Sequence, residues 1–138
     1  MTDFARLMSD YFVKYLAGQK GSGSNTMKTY RDTFVQLLEF MDEKKHIRAD
    51  CIEVDSFSYD IINEFLEYLE KEKRVSISTR NNRLAAIRSF FKYTGYHEPK
   101  YLNISTSIRE ISKKKTEGRQ MNYLSVNAME HFLNSFDK

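Results

Sequence analysis

The side chains whose spacing could do chemistry are concentrated between Ser78 and Tyr93. At about 100° per residue, Asn81, Ala85, Arg88 and Lys92 follow at intervals of four, three and four and share one helical face. Asn82 and Ser89 flank that stripe, and no acidic residue occurs between Arg74 and Tyr96. Asn and Arg side chains match base edges in a major groove, and small residues such as Ala85, Ala86 and Ser89 let a helix backbone approach its floor. Ser78, Thr79, Arg80 and Arg83 extend the set into the first turns. There Thr79 and Arg80 can meet a phosphate with help from the positive helix end. The chemistry is recognition of a polyanion, not bond making. The same cations could clothe an ordinary solvated helix. The missing acids argue otherwise, because the other segments mix both signs, as Arg31, Asp32 and Glu39 do.

Two further groups support this face. Thr26, Lys28, Thr29 and Arg31 cluster where another helix is expected to begin. Hydroxyls and bases in such a position suit phosphate contacts, which orient a protein on a duplex without reading its sequence. Lys113, Lys114, Lys115 and Arg119 would add salt-dependent attraction. A capping turn or a solvated linker accounts for any one of these residues equally well.

The charge distribution points the same way. The net charge is only +3. Residues 1–73 hold 10 Lys/Arg against 14 Asp/Glu, residues 74–120 hold 11 against 3, and residues 121–138 hold 1 against 2. Positive charge confined to one stretch is the footprint of a face that meets a polyanion.

Catalytic and cofactor chemistry finds little support. Cys51 is the single cysteine and sits among Asp50, Glu53 and Asp55, which oppose thiolate formation. His46, His97 and His131 are scattered, so no metal site is expected, and no phosphate-binding glycine motif or H-E-x-x-H occurs. No cofactor is expected. A lone cysteine fits a reducing, cytoplasmic setting. The apolar runs are too short to span a membrane, and Met1-Thr2-Asp3 does not open a secretory signal.

The elements that must position the basic face follow from periodicity. Phe4, Leu7, Met8, Tyr11, Phe12 and Tyr15 predict a helix over Phe4 to Leu16, capped by Thr2 or Asp3. Three of the five glycines fall within Gly18 to Gly23, and Gly18 to Ser24 reads as a loop. Met27, Tyr30, Phe34, Leu37, Leu38 and Met41 mark a second helix from about Asn25, fading at Asp42 to His46. An acidic, irregular connection runs from Ile47 to Phe57. Ser58 caps a third helix with Ile61, Ile62, Phe65, Leu66 and Leu69 inward. Ser78-Thr79 opens the fourth, with Leu84, Ile87, Phe90 and Phe91 inward and Gly95 as C-cap, leaving His97 as a turn residue. A shorter fifth helix covers Tyr101 or Ile104 to Ile111. The expected fold class is all-α, a compact bundle of four to five helices. Residues 112–122 read as a flexible basic linker, and Tyr123 onward as one further amphipathic segment.

The order of these segments carries a resemblance. Asn25-Thr26-Met27-Lys28-Thr29-Tyr30 opens one long helix, Ile61 to Leu69 forms the next, and Thr79-Arg80-Asn81-Asn82-Arg83-Leu84-Ala85-Ala86-Ile87-Arg88-Ser89-Phe90-Phe91-Lys92-Tyr93 forms the last. Together they resemble the SAM-like core-binding domain of phage integrases and Xer-type tyrosine recombinases, over roughly Phe4 to Ile111. The resemblance implies a core-binding domain in 1–111, a linker in 112–122 and the start of a catalytic domain in 123–138. It implies that the second and fourth helices lie against the major groove of double-stranded DNA, and that other recombinase protomers are partners on that DNA. The isolated domain is expected to be monomeric. The family's strand-cleaving tyrosine and its supporting residues belong to a catalytic domain this chain lacks, so no tyrosine here is assigned that role. Two alternatives stay open: a non-enzymatic helix-turn-helix regulator, and a helical protein-interaction module whose basic face meets an acidic partner.

Overall fold

The computed structural model describes residues 2–19 and 24–115. Helix α1 spans Asp3–Asp10, and the Ala5 amide in its first turn donates to the Thr2 hydroxyl at 3.1 Å. The chain continues in a wider π-type winding over Tyr11–Gln19, so Gly18 belongs to a helical segment and not to a loop. Helix α2 spans Ser24–Lys45, α3 Tyr59–Lys71, α4 Ile77–His97 and α5 Leu102–Arg109. Short 3-10 turns at Ala49–Cys51, Val54–Ser56 and Pro99–Tyr101 shape the connections. Among the described residues the secondary structure is entirely helical, as the periodicity predicts.

The helix ends show where sequence signals held and where they misled. Ser58 caps α3 by accepting from the Ile61 amide at 3.1 Å. The cap of α4 is Ser76, which accepts from the Thr79 amide at 3.0 Å, so the helix begins before Ser78. Helices α2 and α3 both end near non-glycine residues with left-handed backbone, His46 (φ 58°) and Arg74 (φ 56°). The following amides, Ile47 and Val75, return to carbonyls six residues back, on Met41 and Leu69. Such a reversal usually falls on glycine, and neither site carries the usual letter.

Gly95 does not end α4, which runs on to His97. It is a packing residue: a Cβ at this position would lie 2.7 Å from both Cβ and Oγ of the buried Ser105 on α5. Removing the side chain lets α5 lie directly against α4. His97 is the last residue of α4 and not a turn residue, and its ring lies 4.2 Å from that of Tyr93.

Helix α4 is the centre of the bundle and packs against α2, α3 and α5. Leu84, Ile87, Phe90 and Phe91 are fully covered, as is Ala86. Phe90 is the hub of an aromatic cluster, with ring centroids 5.6 Å from Phe4, 5.4 Å from Tyr11, 5.5 Å from Phe34 and 5.1 Å from Phe91. Each buried Phe contributes about 1.5–3 kcal/mol by burial, and edge-on pairs add about 0.5–1.5 kcal/mol. The acidic connection contributes to the core as well, through Ile52, Val54 and Phe57. Packing of this density on both flanks fixes which face of α4 points outward.

Candidate nucleic-acid interface

The outward face of α4 carries Ser78, Asn82, Ala85 and Lys92, all exposed, with Asn81, Arg83, Arg88 and Ser89 half-buried beside them. The first turns of α2 lie alongside. Thr26, Thr29 and Tyr30 from α2 and Asn82 and Ala85 from α4 line one cleft of about 270 Å³. A second cleft of about 380 Å³ continues from Ala85 to Arg88, Ser89 and Lys92, and reaches Tyr15 and Arg109. Ala85 therefore sits at the junction of two grooves, and its small side chain leaves the helix backbone open there. From Asn82 to Lys92 the stripe is about 15 Å long at 1.5 Å per residue, against a major groove of about 12 Å.

Arg83 fastens α2 to α4. Its Nη1 donates to the Thr29 carbonyl and to the Thr33 hydroxyl, both at 3.3 Å. Thr33 is fully buried and donates in turn to the Thr29 carbonyl at 2.9 Å. The guanidinium thus holds the second helix in register with the basic face.

Tyr11 supports the face from behind. It is buried, its hydroxyl donates to Ser89 Oγ at 2.7 Å, and burial raises its pKa far above the ordinary phenol value, so it remains a donor. Lys28, Arg31 and Thr26 are exposed on α2; Lys28 pairs with Asp32 at 3.2 Å, and Thr29 is half-buried. Among the described residues, Arg31, Arg88, Lys92 and Arg109 form no ion pair.

Two of the residues expected to reach DNA are placed otherwise. The Arg80 side chain is only 5% exposed, and its Nε lies 3.6 Å from Glu70. Its Nη1 donates to Asn81 Oδ1 and to the Ser112 carbonyl, at 3.0 and 3.3 Å. Burial lowers its pKa, opposed by the Glu70 charge. Arg80 precedes Leu84, Ile87 and Phe91 at helical intervals, so the core stripe itself leads to it. Asn81 is also engaged: its Nδ2 donates to the Lys114 carbonyl at 2.8 Å, and its Oδ1 accepts from the Lys114 amide at 2.9 Å.

These contacts change the picture of the basic segment. Ser112 and Lys114 are fastened to the start of α4, and Lys114 Nζ donates to both Glu70 oxygens, at 3.2 and 2.9 Å. The expectation of a freely moving linker does not hold for these residues. Lys113 and Lys115 are exposed, while Arg119 lies outside the described residues. Thr79 is half-buried beside the Ser76 cap, and Ser78 is exposed.

Arg109 is a residue of this surface that the sequence did not single out. It lies 17 positions beyond Lys92 and reaches the cleft only because α5 folds back on α4 at Gly95. The base in the last turn of a short helix was the one available hint.

The comparisons with known proteins agree with this architecture. Residues 10–100 match the family described as phage integrase, N-terminal SAM-like domain. The chain is 30% identical over 121 residues to y4rC of Sinorhizobium fredii, named as an integrase/recombinase, covering 88% of this chain and 36% of that protein. It is 32% identical over 111 residues to y4rD of the same organism, similarly named, covering 80% of this chain and 40% of that protein. The tyrosine recombinase XerC of Natranaerobius thermophilus is 28% identical over 124 residues, covering 90% and 39%. The chain therefore spans well under half the length of the relatives it matches. No solved structure matches it. An all-helical bundle centred on α4, a family match over 91 of its 138 residues and relatives named as recombinases lead to one conclusion: the chain belongs to the phage integrase N-terminal SAM-like family of the tyrosine recombinases.

Proposed function

We propose that this chain is the DNA-binding, core-binding part of a site-specific tyrosine recombinase, clamping duplex DNA at the recombination core site. The observation that carries the reading is the outward face of α4. It is free of acids over its whole length, has a small residue at its centre, and is flanked by the basic first turns of α2. Thr26, Lys28, Thr29 and Arg31 take phosphates on one side, with Arg83 holding their helix in register. Asn82, Arg88 and Lys92 face the groove. Asn81 and Arg80 serve this face indirectly, by fixing the segment that leaves α5 against the start of α4.

In this reading residues 1–111 form the core-binding domain, 112–122 the connection and 123–138 the entry to a catalytic domain. Strand cleavage belongs to residues this chain does not hold. Other recombinase protomers meet the domain on DNA, and the setting is the cytoplasm. Among the described residues no helix is long and apolar enough to cross a membrane.

The test is a titration of isotope-labelled protein with a short duplex, followed by amide chemical shifts. Amides of Thr26 to Arg31 and of Asn82 to Lys92 should move together and saturate together. If the duplex leaves both helices undisturbed while an acidic polypeptide shifts them, the face is a protein-interaction surface and the reading falls.

A further inference from the structure

The second cleft on the basic face has the chemistry of a bound phosphate. It is lined by Tyr15, Ala85, Arg88, Ser89, Lys92 and Arg109 and measures about 380 Å³. Three cations converge on it from two helices, and none forms an ion pair with a described residue. Two of its donors lack acceptors. The buried Nε of Arg109 has no hydrogen-bond partner among the described residues. Ser89 Oγ already accepts from Tyr11, so the Ser89 proton is free to be donated elsewhere. Unpaired donors and unopposed positive charge call for an anion with several acceptor oxygens.

We infer that this cleft holds one backbone phosphate of duplex DNA, and that Arg109 is the residue that completes it. The inference rests on the DNA-binding reading and deepens it. The α2 end of the face supplies Lys28 and Arg31 on one side of Ala85. The Arg109 cleft opens from Ala85 on the other side and runs to Lys92, so the face from Asn82 to Lys92 spans about 15 Å of helix, enough to reach phosphates on both edges of a major groove about 12 Å wide. Arg109 fixes position and not sequence, because a phosphate is the same at every step.

The experiment measures duplex affinity against salt for the wild type, Arg109→Gln and Arg109→Lys, on two unrelated sequences. One phosphate contact contributes about 0.9 to the slope of log affinity on log salt, which alone is about 8-fold at 0.1 M. Arg109→Gln should lose that slope and about 8-fold in affinity, equally on both sequences, while Arg109→Lys keeps most of the slope. Thermal melting of each variant checks the fold. If Arg109→Gln does not fold, the Arg109 Nε proton in the wild type decides: it should shift on adding duplex, and a resonance that stays in place overturns the site. A wild-type slope in a folded Arg109→Gln overturns the phosphate site but leaves the DNA-binding reading standing. A wild type with no salt-dependent duplex binding overturns the reading itself. Inorganic phosphate is titrated in parallel. Saturable shifts at Arg88, Lys92 and Arg109 with phosphate, but none with duplex, would assign the cleft to a free anion and overturn the inference.

Discussion

Replacing Asn81 by alanine separates two roles for one residue. Its amide makes a reciprocal pair of hydrogen bonds with the Lys114 backbone, at 2.8 and 2.9 Å. A typical intramolecular hydrogen bond contributes about 0.5–1.5 kcal/mol net, and this pair is exposed, so together the two hold Lys114 by about 1–2 kcal/mol. Losing that corresponds to about a 5- to 30-fold rise in the open fraction of the strap at 1.4 kcal/mol per tenfold. Global stability should change less, because alanine gains up to about 0.7 kcal/mol of helix propensity at the same position. The assay is amide hydrogen exchange: the Lys114 amide should exchange about 5- to 30-fold faster, with Leu84 and Ile87 as unaffected references in α4. DNA affinity should fall less than about threefold and by the same factor on every sequence. A base-reading Asn would instead lose about 1–3 kcal/mol of discrimination at one base pair. Unchanged exchange at Lys114 would refute the strap. A loss of discrimination at a single position would return Asn81 to the groove.

Three other outcomes follow from the packing and the charges. Gly95→Ala should destabilise the domain by about 1–3 kcal/mol through overpacking against Ser105, reduced by up to about 1 kcal/mol of helix propensity; adding Ser105→Gly should recover most of it in a chemical denaturation series. Glu70→Gln leaves the buried Arg80 charge without its carboxylate and should cost about 1–3 kcal/mol, below the 3–5 kcal/mol of a fully buried pair because Glu70 is partly exposed; in an Arg80→Met background the same change should cost far less. Asp3 accepts from the Tyr101 hydroxyl at 2.9 Å, with Lys100 and Arg6 beside it, and these hold its pKa below the usual 3.8. A lowered carboxylate stabilises the fold above its unfolded pKa, and the gain disappears as the pH falls below about 4 through the folded value. The Tyr101 phenol, pushed up to about 12, adds stability that is complete below pH 10 and fades from about 10 to 12. Asp3→Asn should therefore flatten the acid side of the stability–pH curve, and a wild-type acid limb in that variant would show that Asp3 plays no part.

Periodicity made most of the bundle legible. The stripes in α2, α3 and α4 named the buried Phe34, Leu37, Met41, Phe65, Leu66, Leu84, Ile87 and Phe91, because amphipathic spacing is set by the same core that buries those positions. Thr2 and Ser58 were readable as caps from their letters. What escaped depends on distant partners. Asn81 looks like a base reader until Lys114, 33 residues on, takes both ends of its amide. Arg80 looks like a surface cation because of its charge, although its interval to Leu84 places it on the core stripe. Gly95 carries one letter for two meanings, cap or close approach, and only Ser105 on α5 decides between them. Arg109 joins the basic face by tertiary folding alone. Acid-free spacing located the face; the side chains that support it came from packing.

The salt dependence of duplex binding tests the central claim most directly. Among the described residues Arg31, Arg88 and Lys92 on the proposed surface form no ion pair, and Arg109 adds a fourth such cation. Three to four phosphate contacts give a slope of about −2.7 to −3.6 in log affinity against log salt, or about 40- to 150-fold between 50 and 200 mM. The account predicts a slope in that range, reduced stepwise in Arg88→Gln and Lys92→Gln. A slope near zero, or one that those substitutions leave untouched, would contradict the claim that this face meets DNA.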